Sequence, residues 1–286
     1  MSGLKIIKRR IKSIQSTQQI TRVMKMVAAA KLKRAQENII KARPYSLRLR
    51  RVIRELSTRV DRDLHPLLHL PEPAGKIGIV IVTGDRGLAG AFNTNIMRRA
   101  GRLIEERAGT DVQLVTVGRK ATEFYAKRGP DVIEKMSGFF NTLEFAHAVQ
   151  LGNVLIERFV QQDLDRVFVV YNEFKSAIAQ NVVVEQLLPI VPDPADEHVY
   201  SSDIIYEPSE ARILDSILPL FVKVQVWRVL LESFAAEMGA RMTAMENATQ
   251  NAQELIESLT LTYNKARQAA ITREILEVVS GAESLR

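Results

Sequence analysis

The 286-residue chain contains no cysteine, which excludes disulfides, thiolate catalysis and cysteine-ligated metals. Histidine is also scarce. The nearest pair, His65 and His69, has helical ligand spacing, but Pro66 stands between the two, so we expect a loop there and no metal site. No apolar run approaches the roughly 20 residues that a membrane-spanning helix needs. We therefore expect no membrane span, no metal and no thiol chemistry.

Acidic residues are almost missing from the start of the chain. Residues 1–60 carry seventeen Lys and Arg against two Glu, a net charge of +15, while the rest of the chain has a net charge of −8. Such a basic arm is typical of nucleic-acid binding, of a membrane-surface helix, or of a helix that faces an acidic protein. The first 44 residues contain no aromatic side chain that could stack on bases, which favours a protein partner.

Proline is absent after Pro219, and Gly239 is the only glycine between there and Gly281. This stretch has an apolar stride that alternates three and four residues through eight heptads, broken only by Arg228 and Thr249. The pattern predicts a long helix in a left-handed coiled coil, and residues 211–279 would extend about 100 Å, beyond any domain of this size. The predicted contact positions are Leu214, Ile217, Phe221, Val224, Arg228, Leu231, Ala235, Met238, Met242, Met245, Thr249, Ala252, Ile256, Leu259, Tyr263, Ala266 and Ala270.

The N-terminal residues show a matching but less regular stride. Apolar residues follow a 3-4-3 spacing from Leu4 to Ile14, a polar patch over residues 15–19 interrupts the pattern, and the pattern resumes at Ile20. Pro44 predicts a kink or an end to this helix, although apolar residues continue beyond it. Because the two terminal helices have complementary stripes and opposite charge excess, we expect them to pair antiparallel. The predicted contact positions are Leu4, Ile7, Ile11, Ile14, Ile20, Met24, Val27, Leu32, Ala35, Ile39 and Ala42.

Between the two terminal helices, strand-like and helix-like segments alternate. This order predicts a mostly parallel sheet covered by helices. The predicted strands are 76–82, 112–117, 166–171 and 182–188, and the predicted helices are 94–107, 120–128 and 142–162.

A glycine-rich turn over residues 84–93 follows the first predicted strand. Dinucleotide-binding folds hold phosphate at such a place, but the spacing here is G-x-x-G-x-x-G and no Walker lysine is present. We expect a tight turn that packs a helix onto the sheet rather than a nucleotide site.

Several motifs together resemble the gamma subunit of F-type ATP synthases. They are residues 240–245 (ARMTAM), 263–269 (YNKARQA), the spaced motif in 271–282, the N-terminal motifs in 6–14 and 17–29, and residues 85–90 (DRGLAG). The resemblance extends over essentially the whole chain. Ala89 stands where the family often has cysteine, and the lack of any cysteine excludes the thiol control of the chloroplast branch.

The resemblance implies a long antiparallel coiled coil of the N- and C-terminal helices plus a Rossmann-like α/β domain. Its parts would be an N-terminal helix at 1–60, an α/β foot at 75–208 and a C-terminal helix at 209–286. The implied function is that of a non-catalytic central-stalk rotor with no cofactor and no metal. Its implied partners are the alpha and beta subunits, the epsilon subunit and the c ring. The implied location is peripheral, at the cytoplasmic face of the bacterial plasma membrane.

Site residues follow from the same resemblance, position by position. Matches to the family's beta-subunit contacts are Met24, Lys25, Arg241, Gln268 and Thr272. Matches to its c-ring contacts are Arg43, Tyr45, Tyr206 and Glu207, and the apical bearing would include Ile275, Val278, Val279 and Leu285. Two other classes stay open from the residues alone: a coiled-coil scaffold or nucleic-acid protein, and a small Rossmann-like enzyme with helical arms.

Overall fold

The computed structural model describes residues 2–59, 65–71, 75–176, 179–191 and 210–283. The chain divides into two compact units. Residues 1–28 and 241–286 form the first, here called the helix pair, and residues 29–240 form the second, here called the α/β unit. The elements in chain order are α1 (Ser2–Arg59), β1 (Lys76–Val82), α2 (Phe92–Glu106), β2 (Asp111–Val117), α3 (Arg119–Tyr125), β3 (Val132–Met136), a 3-10 turn (Phe140–Thr142), α4 (Phe145–Val160), β4 (Arg166–Phe174), β5 (Gln180–Leu188) and α5 (Glu210–Glu283).

The five strands form one sheet in the order β3-β2-β1-β4-β5. The first four are parallel, and β5 pairs antiparallel with β4. The mostly parallel sheet is thereby confirmed, and so are the four predicted strands. β3 was missed because it is a five-residue edge strand with two charged residues and only one fully buried side chain.

The predicted helix at 142–162 begins later than expected, at Phe145. Thr142 instead ends a 3-10 turn, and a capping box between Glu144 and His147 starts α4. The predicted helix at 120–128 ends at Tyr125, so it is shorter than expected.

Apolar residues on the two faces of the sheet form two separate cores. Alternate residues of β1 show the division, because Ile79 and Ile81 pack with α2 and α3 while Val80 and Val82 pack with α4 and α5. A third, smaller cluster joins the helices themselves within the α/β unit: Leu32 and Ala35 of α1, and Ala235 and Met238 of α5.

Pro44 does not end α1, which continues as one helix to Arg59. The same stride of buried and half-buried positions runs past the proline through Ser46, Leu49 and Ile53. Packing of these residues in the α/β unit offsets the hydrogen bond that a proline inside a helix forfeits.

In the helix pair, the structure bears out the heptad stride of α5. All eight predicted contact positions from Met245 to Ala270 are buried or half-buried, and most positions between them are exposed. The N-terminal stride needs a correction, because Ile20 and Val27 are 59% and 51% exposed. The stride instead runs unbroken through the polar patch, by way of Gln18, Thr21, Lys25 and Ala28.

Candidate functional site

Polar side chains connect the two helices of the pair non-covalently at three successive levels. The Gln18 amide donates to Gln253 Oε1 at 2.8 Å, the hydroxyls of Thr21 and Thr249 lie 2.8 Å apart, and Lys25 forms an ion pair with Glu246. Residue numbers rise along α1 as they fall along α5, so the helices are antiparallel, as predicted. These pairings explain how a polar patch sits in the contact stripe: each group finds its partner on the opposite helix.

Because Thr21 and Lys25 of α1 face α5, a stripe of apolar residues on α1 faces away from α5. At 3.6 residues per turn, Ile20 lies roughly 100° around the helix from Thr21, so both cannot face α5. Ile20, Val23 and Val27 follow a 3-4 spacing and are all exposed, and Met26 beside them is exposed too. The apolar pattern of the sequence alone drew Ile20 and Val27 into the contact stripe, and only the cross-helix hydrogen bonds reveal the true register.

The five residues matched to beta-subunit contacts occupy different environments. Met24 is half-buried at the edge of the contact stripe, Lys25 is engaged by Glu246, and Arg241 is buried. Gln268 and Thr272 are both exposed. They lie one turn apart on one face, where the Thr272 hydroxyl donates to the Gln268 carbonyl at 3.0 Å. The structure therefore brings Gln268 and Thr272 together, while Arg241 lies roughly 40 Å along the helix from them.

The last described part of α5 has no buried face. Every residue from 271 to 280 is exposed, including the proposed bearing residues Ile275, Val278 and Val279. Leu285 lies outside the described residues. Two further apolar residues missed by the matching, Ile271 and Leu276, are exposed in the same segment.

Of the four residues matched to c-ring contacts, Arg43 and Tyr45 lie on exposed positions of α1 in the α/β unit. Tyr206 and Glu207 lie outside the described residues.

The carboxyl end of the sheet, where α/β folds bind nucleotides, is filled by the chain's own side chains. Asp85 accepts hydrogen bonds from the backbone N–H of Arg119, the first residue of α3, and of Gly138, each at 3.0 Å. Thr83 Oγ1 accepts from Ala121 N at 2.9 Å, and Asn93 Oδ1 accepts from Gly84 N at 2.9 Å. These are the kinds of backbone donors that would otherwise hold a phosphate.

Gly84 stands at the point where the strand order reverses between β1 and β4. A Cβ at this position would lie 2.6 Å from Glu237 Oε1, so the buried Glu237 carboxylate of α5 packs directly on the glycine backbone. The glycine-rich turn thus lets α5 approach the sheet closely, and an acidic side chain occupies the crevice. This arrangement agrees with a packing turn rather than a phosphate cradle.

A half-buried ion network joins α5 to β4 and β5 in the α/β unit. Arg228 binds both carboxylate oxygens of Glu185 at 2.7 Å, donates to the Tyr171 hydroxyl at 2.9 Å, and reaches Glu232 Oε1 at 3.4 Å. Arg228 interrupts the apolar stride of the sequence because here α5 faces the sheet edge rather than α1 alone. Fork-shaped donation of this kind fixes orientation as well as charge.

The surroundings shift the acid–base equilibria of the network. Burial lowers the pKa of Arg228, but the nearby Tyr171, Glu185 and Glu232 outweigh it and raise the pKa overall. Burial raises the pKa of Tyr171 and of Glu232, although Arg228 opposes both shifts. The network thus fixes α5 against β4 and β5 by charge-assisted hydrogen bonds.

Among the described residues, no group of three or more His, Asp or Glu side chains has the arrangement of a metal site. Within the same ranges, no helix combines the length and the hydrophobicity needed to cross a bilayer.

The fold defines a class of protein: a chain whose long, paired terminal helices accompany an α/β unit. Comparisons agree. The ATP synthase family profile matches residues 3–285. The chain is 47% identical to the ATP synthase gamma chain of Chlorobaculum parvum over 100% of both chains, and 45% identical to that of Geotalea daltonii, also over 100% of both. This chain belongs to the ATP synthase gamma chain family, whose members are central-stalk rotor subunits.

Solved structures share the fold. A chain of the Tetrahymena thermophila mitochondrial ATP synthase central stalk and c-ring superposes with a TM-score of 0.61 at 25% identity, covering 80% of this chain and 99% of that one. A chain of the Euglena gracilis mitochondrial ATP synthase, from a structure of OSCP, F1 and c-ring, gives a TM-score of 0.72 at 22% identity, covering 99% of this chain and 95% of that one.

Proposed function

We propose that this rotor subunit transmits torque between a membrane c ring and an alpha3-beta3 head, and so couples ion translocation to ATP synthesis or hydrolysis. In this proposal the helix pair works inside the head, and the α/β unit contacts the c ring and an epsilon subunit. Related complexes support the assignment, since chains of similar fold belong to a central stalk with its c-ring and to an assembly of OSCP, F1 and c-ring.

The observation that carries the proposal is the exposed apolar surface of the helix pair. Ile20, Val23 and Val27 form a stripe on α1, and the segment 271–280 exposes five large apolar side chains. Contiguous apolar patches of this kind mark interaction surfaces in soluble proteins. An enclosing ring of subunits would cover both patches, and the weak, non-directional nature of apolar contact would let the rotor turn inside it.

Gln268 and Thr272 supply the polar contact with the beta subunit in this proposal. Both are exposed and adjacent, so one loop of a partner could accept from the Gln268 amide and contact the Thr272 hydroxyl together. Each such bond contributes about 1 kcal/mol. Met24, Lys25 and Arg241 would act on the beta subunit by orienting the helix pair, because their side chains are wholly or partly engaged within it.

The lack of cysteine makes crosslinking a clean test. A single cysteine at Val278 should form a disulfide with a cysteine placed in the inner sleeve of the head, and this should block ATP turnover of the reconstituted complex until a reductant is added. A cysteine at Arg102, an exposed side of α2 in the α/β unit, is the matched control. If Val278→Cys never crosslinks to the head, or if its crosslink leaves turnover unchanged, the proposal is wrong.

Cysteine crosslinking also tests the proposed contacts between the c ring and this subunit. In the proposed contact, Arg43, Tyr45, Tyr206 and Glu207 meet the polar loops of the c subunits. Single cysteines introduced at residues 45 and 206 should therefore crosslink to cysteines in those loops. Absence of a crosslink from both positions would argue against this contact. Such a rotor would lie at the cytoplasmic face of the plasma membrane, held there through the complex.

A further inference from the structure

A cavity of about 170 Å³ lies between α1 and α5 inside the α/β unit. Ile39 and Leu47 of α1 form one apolar wall, and Trp227 and Leu231 of α5 form the opposite wall. Phe145 of α4 packs edge-on against the Trp227 ring, with centroids 6.0 Å apart, and so fixes the indole. Cavities of about 150 Å³ with apolar linings accept a benzene ring.

Two arginines of α1 line the cavity and give it a positive charge. Arg50 makes one long hydrogen bond to Gln225, at 3.4 Å, and Arg43 has no acidic partner among the described residues. Arg228 lines the cavity as well, but Glu185 already engages it with two short bonds. The guanidinium N–H groups of Arg43 and Arg50 are therefore the donors that can bind a ligand.

Glu232 provides the opposite chemistry on the α5 side. One of its oxygens accepts from Arg228, while the other, Oε2, is buried and has no hydrogen-bond partner in the described part of the chain. A buried carboxylate oxygen without a donor is costly, so this position favours a ligand that can donate to it.

We propose that this cavity is a binding site for a small aromatic carboxylate that also carries a hydrogen-bond donor. The ligand carboxylate pairs with Arg43 and Arg50, the ring packs between Leu47 and Trp227, and the donor reaches Glu232 Oε2. The site shares Arg43 with the proposed c-ring contact and shares no other residue with the contacts proposed for torque transmission.

Charge and polarity argue for this ligand class over its neighbours. Three guanidinium groups and one carboxylate line the cavity, which disfavours a cationic ligand. A purely apolar ligand would leave Glu232 Oε2 without a donor and Arg43 without an acidic partner. Burial raises the pKa of Glu232, although Arg228 opposes the shift, and this agrees with an oxygen that lacks donors.

The only tryptophan of the chain, Trp227, lines the cavity, so its fluorescence reports directly on occupancy. The isolated full-length chain is titrated with 4-hydroxybenzoate, and a saturable change of Trp227 emission is expected. Benzoate, which lacks the donor, and 4-hydroxybenzyl alcohol, which lacks the carboxylate, should each bind more weakly. The absence of any c ring in this assay separates ligand binding from the proposed rotor contact of Arg43.

Arg43→Gln should weaken 4-hydroxybenzoate binding about tenfold, as expected for the loss of one charge-assisted hydrogen bond. Arg48→Gln, an exposed arginine of the same helix outside the cavity, is the control and should bind normally. Circular dichroism verifies that both variants fold, and saturation-transfer NMR of the ligand gives a second measure of binding. Equal affinity of the two variants, or no saturable binding by either method, would overturn the proposal.

Discussion

The same helix, α5, lies in two different environments in the two units. Between Leu214 and Ala240, in the α/β unit, its buried side chains point in every direction, because the sheet, α4 and α1 all pack on it. Between Met245 and Ala270, in the helix pair, only one stripe is covered. A heptad pattern alone therefore does not distinguish a helix in a core from a helix that contacts one other helix. The residue types at the positions outside the heptad stripe distinguish the two.

The difference has a functional meaning for the rotor. Most residues of α5 between Leu214 and Ala240 are buried or half-buried, while in the helix pair charged and polar residues occupy most of the exposed positions. Stability thus concentrates in the α/β unit. The helix pair keeps surface free for partners, at a lower gain in buried area per residue.

The largest contrast should appear when one core and one stripe residue of α5 are truncated. Leu230→Ala should lower the free energy of unfolding by about 3–4 kcal/mol, because Leu230 is fully buried in the α/β core. Ile256→Ala in the helix pair should cost about 1–2 kcal/mol, because its side chain is only half-buried. Urea denaturation of the full chain measures both. Equal losses would remove the distinction between the two environments.

Breaking the ion network should have the next largest effect. Arg228→Met should lower the free energy of unfolding by about 1–3 kcal/mol, because Glu185 and Glu232 lose their shared partner in a partly buried site. The double variant Arg228→Met with Glu185→Leu should recover much of the loss, since no carboxylate at Glu185 remains unpaired. A double variant as unstable as the single one would contradict this account, and thermal unfolding decides between them.

The polar cross-links of the helix pair should contribute less. Thr21→Val should cost about 1 kcal/mol by leaving the Thr249 hydroxyl without its cross-helix partner. Adding Thr249→Val should restore stability, because two apolar groups of the same shape then meet. Ser16→Ala, on an exposed face of α1, serves as the control and should be nearly neutral. A double variant less stable than either single one would argue against the direct contact.

The smallest effect should be one of pH in the α/β unit. Burial lowers the pKa of His65, although Asp215 opposes the shift, and the His65 Nδ1 accepts a hydrogen bond from Leu67 N at 3.1 Å. The folded state therefore favours neutral His65. Its contribution to stability is present above the unfolded pKa of about 6.5 and is lost as pH falls through the lower folded pKa.

His65→Asn keeps an acceptor for Leu67 N but cannot be protonated. The variant should lose part of the stability decline that the parent chain shows on acidification below pH 6.5. Unfolding curves between pH 7.5 and 5 measure this, with His69→Asn as the control, because His69 is exposed. Identical acid dependence of the His65 variant and the parent chain would refute the assignment.

Individual elements show why part of this could be predicted and part could not. The strands β1, β2 and β4 are rich in apolar and β-branched residues, which predicts them from the sequence, whereas β3 is a short edge strand with Glu134 and Lys135 and carries no such pattern. Gln268 and Thr272 are proposed as contact residues through motif resemblance. The exposed stripe of Ile20, Val23 and Val27 was not predicted, because an apolar residue in a helical sequence is most simply interpreted as buried.

The amino-acid sequence by itself determined the class of fold, the two long helices, the strand order along the chain and the gamma-chain family, because periodicity and ordered motifs are local properties. Only the tertiary structure decided which side of α1 faces α5, how Glu237 and Asp85 fill the carboxyl end of the sheet, and why Arg228 interrupts an apolar stride. Each of these depends on groups far apart in the chain, and hydrogen bonds between such groups leave no periodic trace in the sequence.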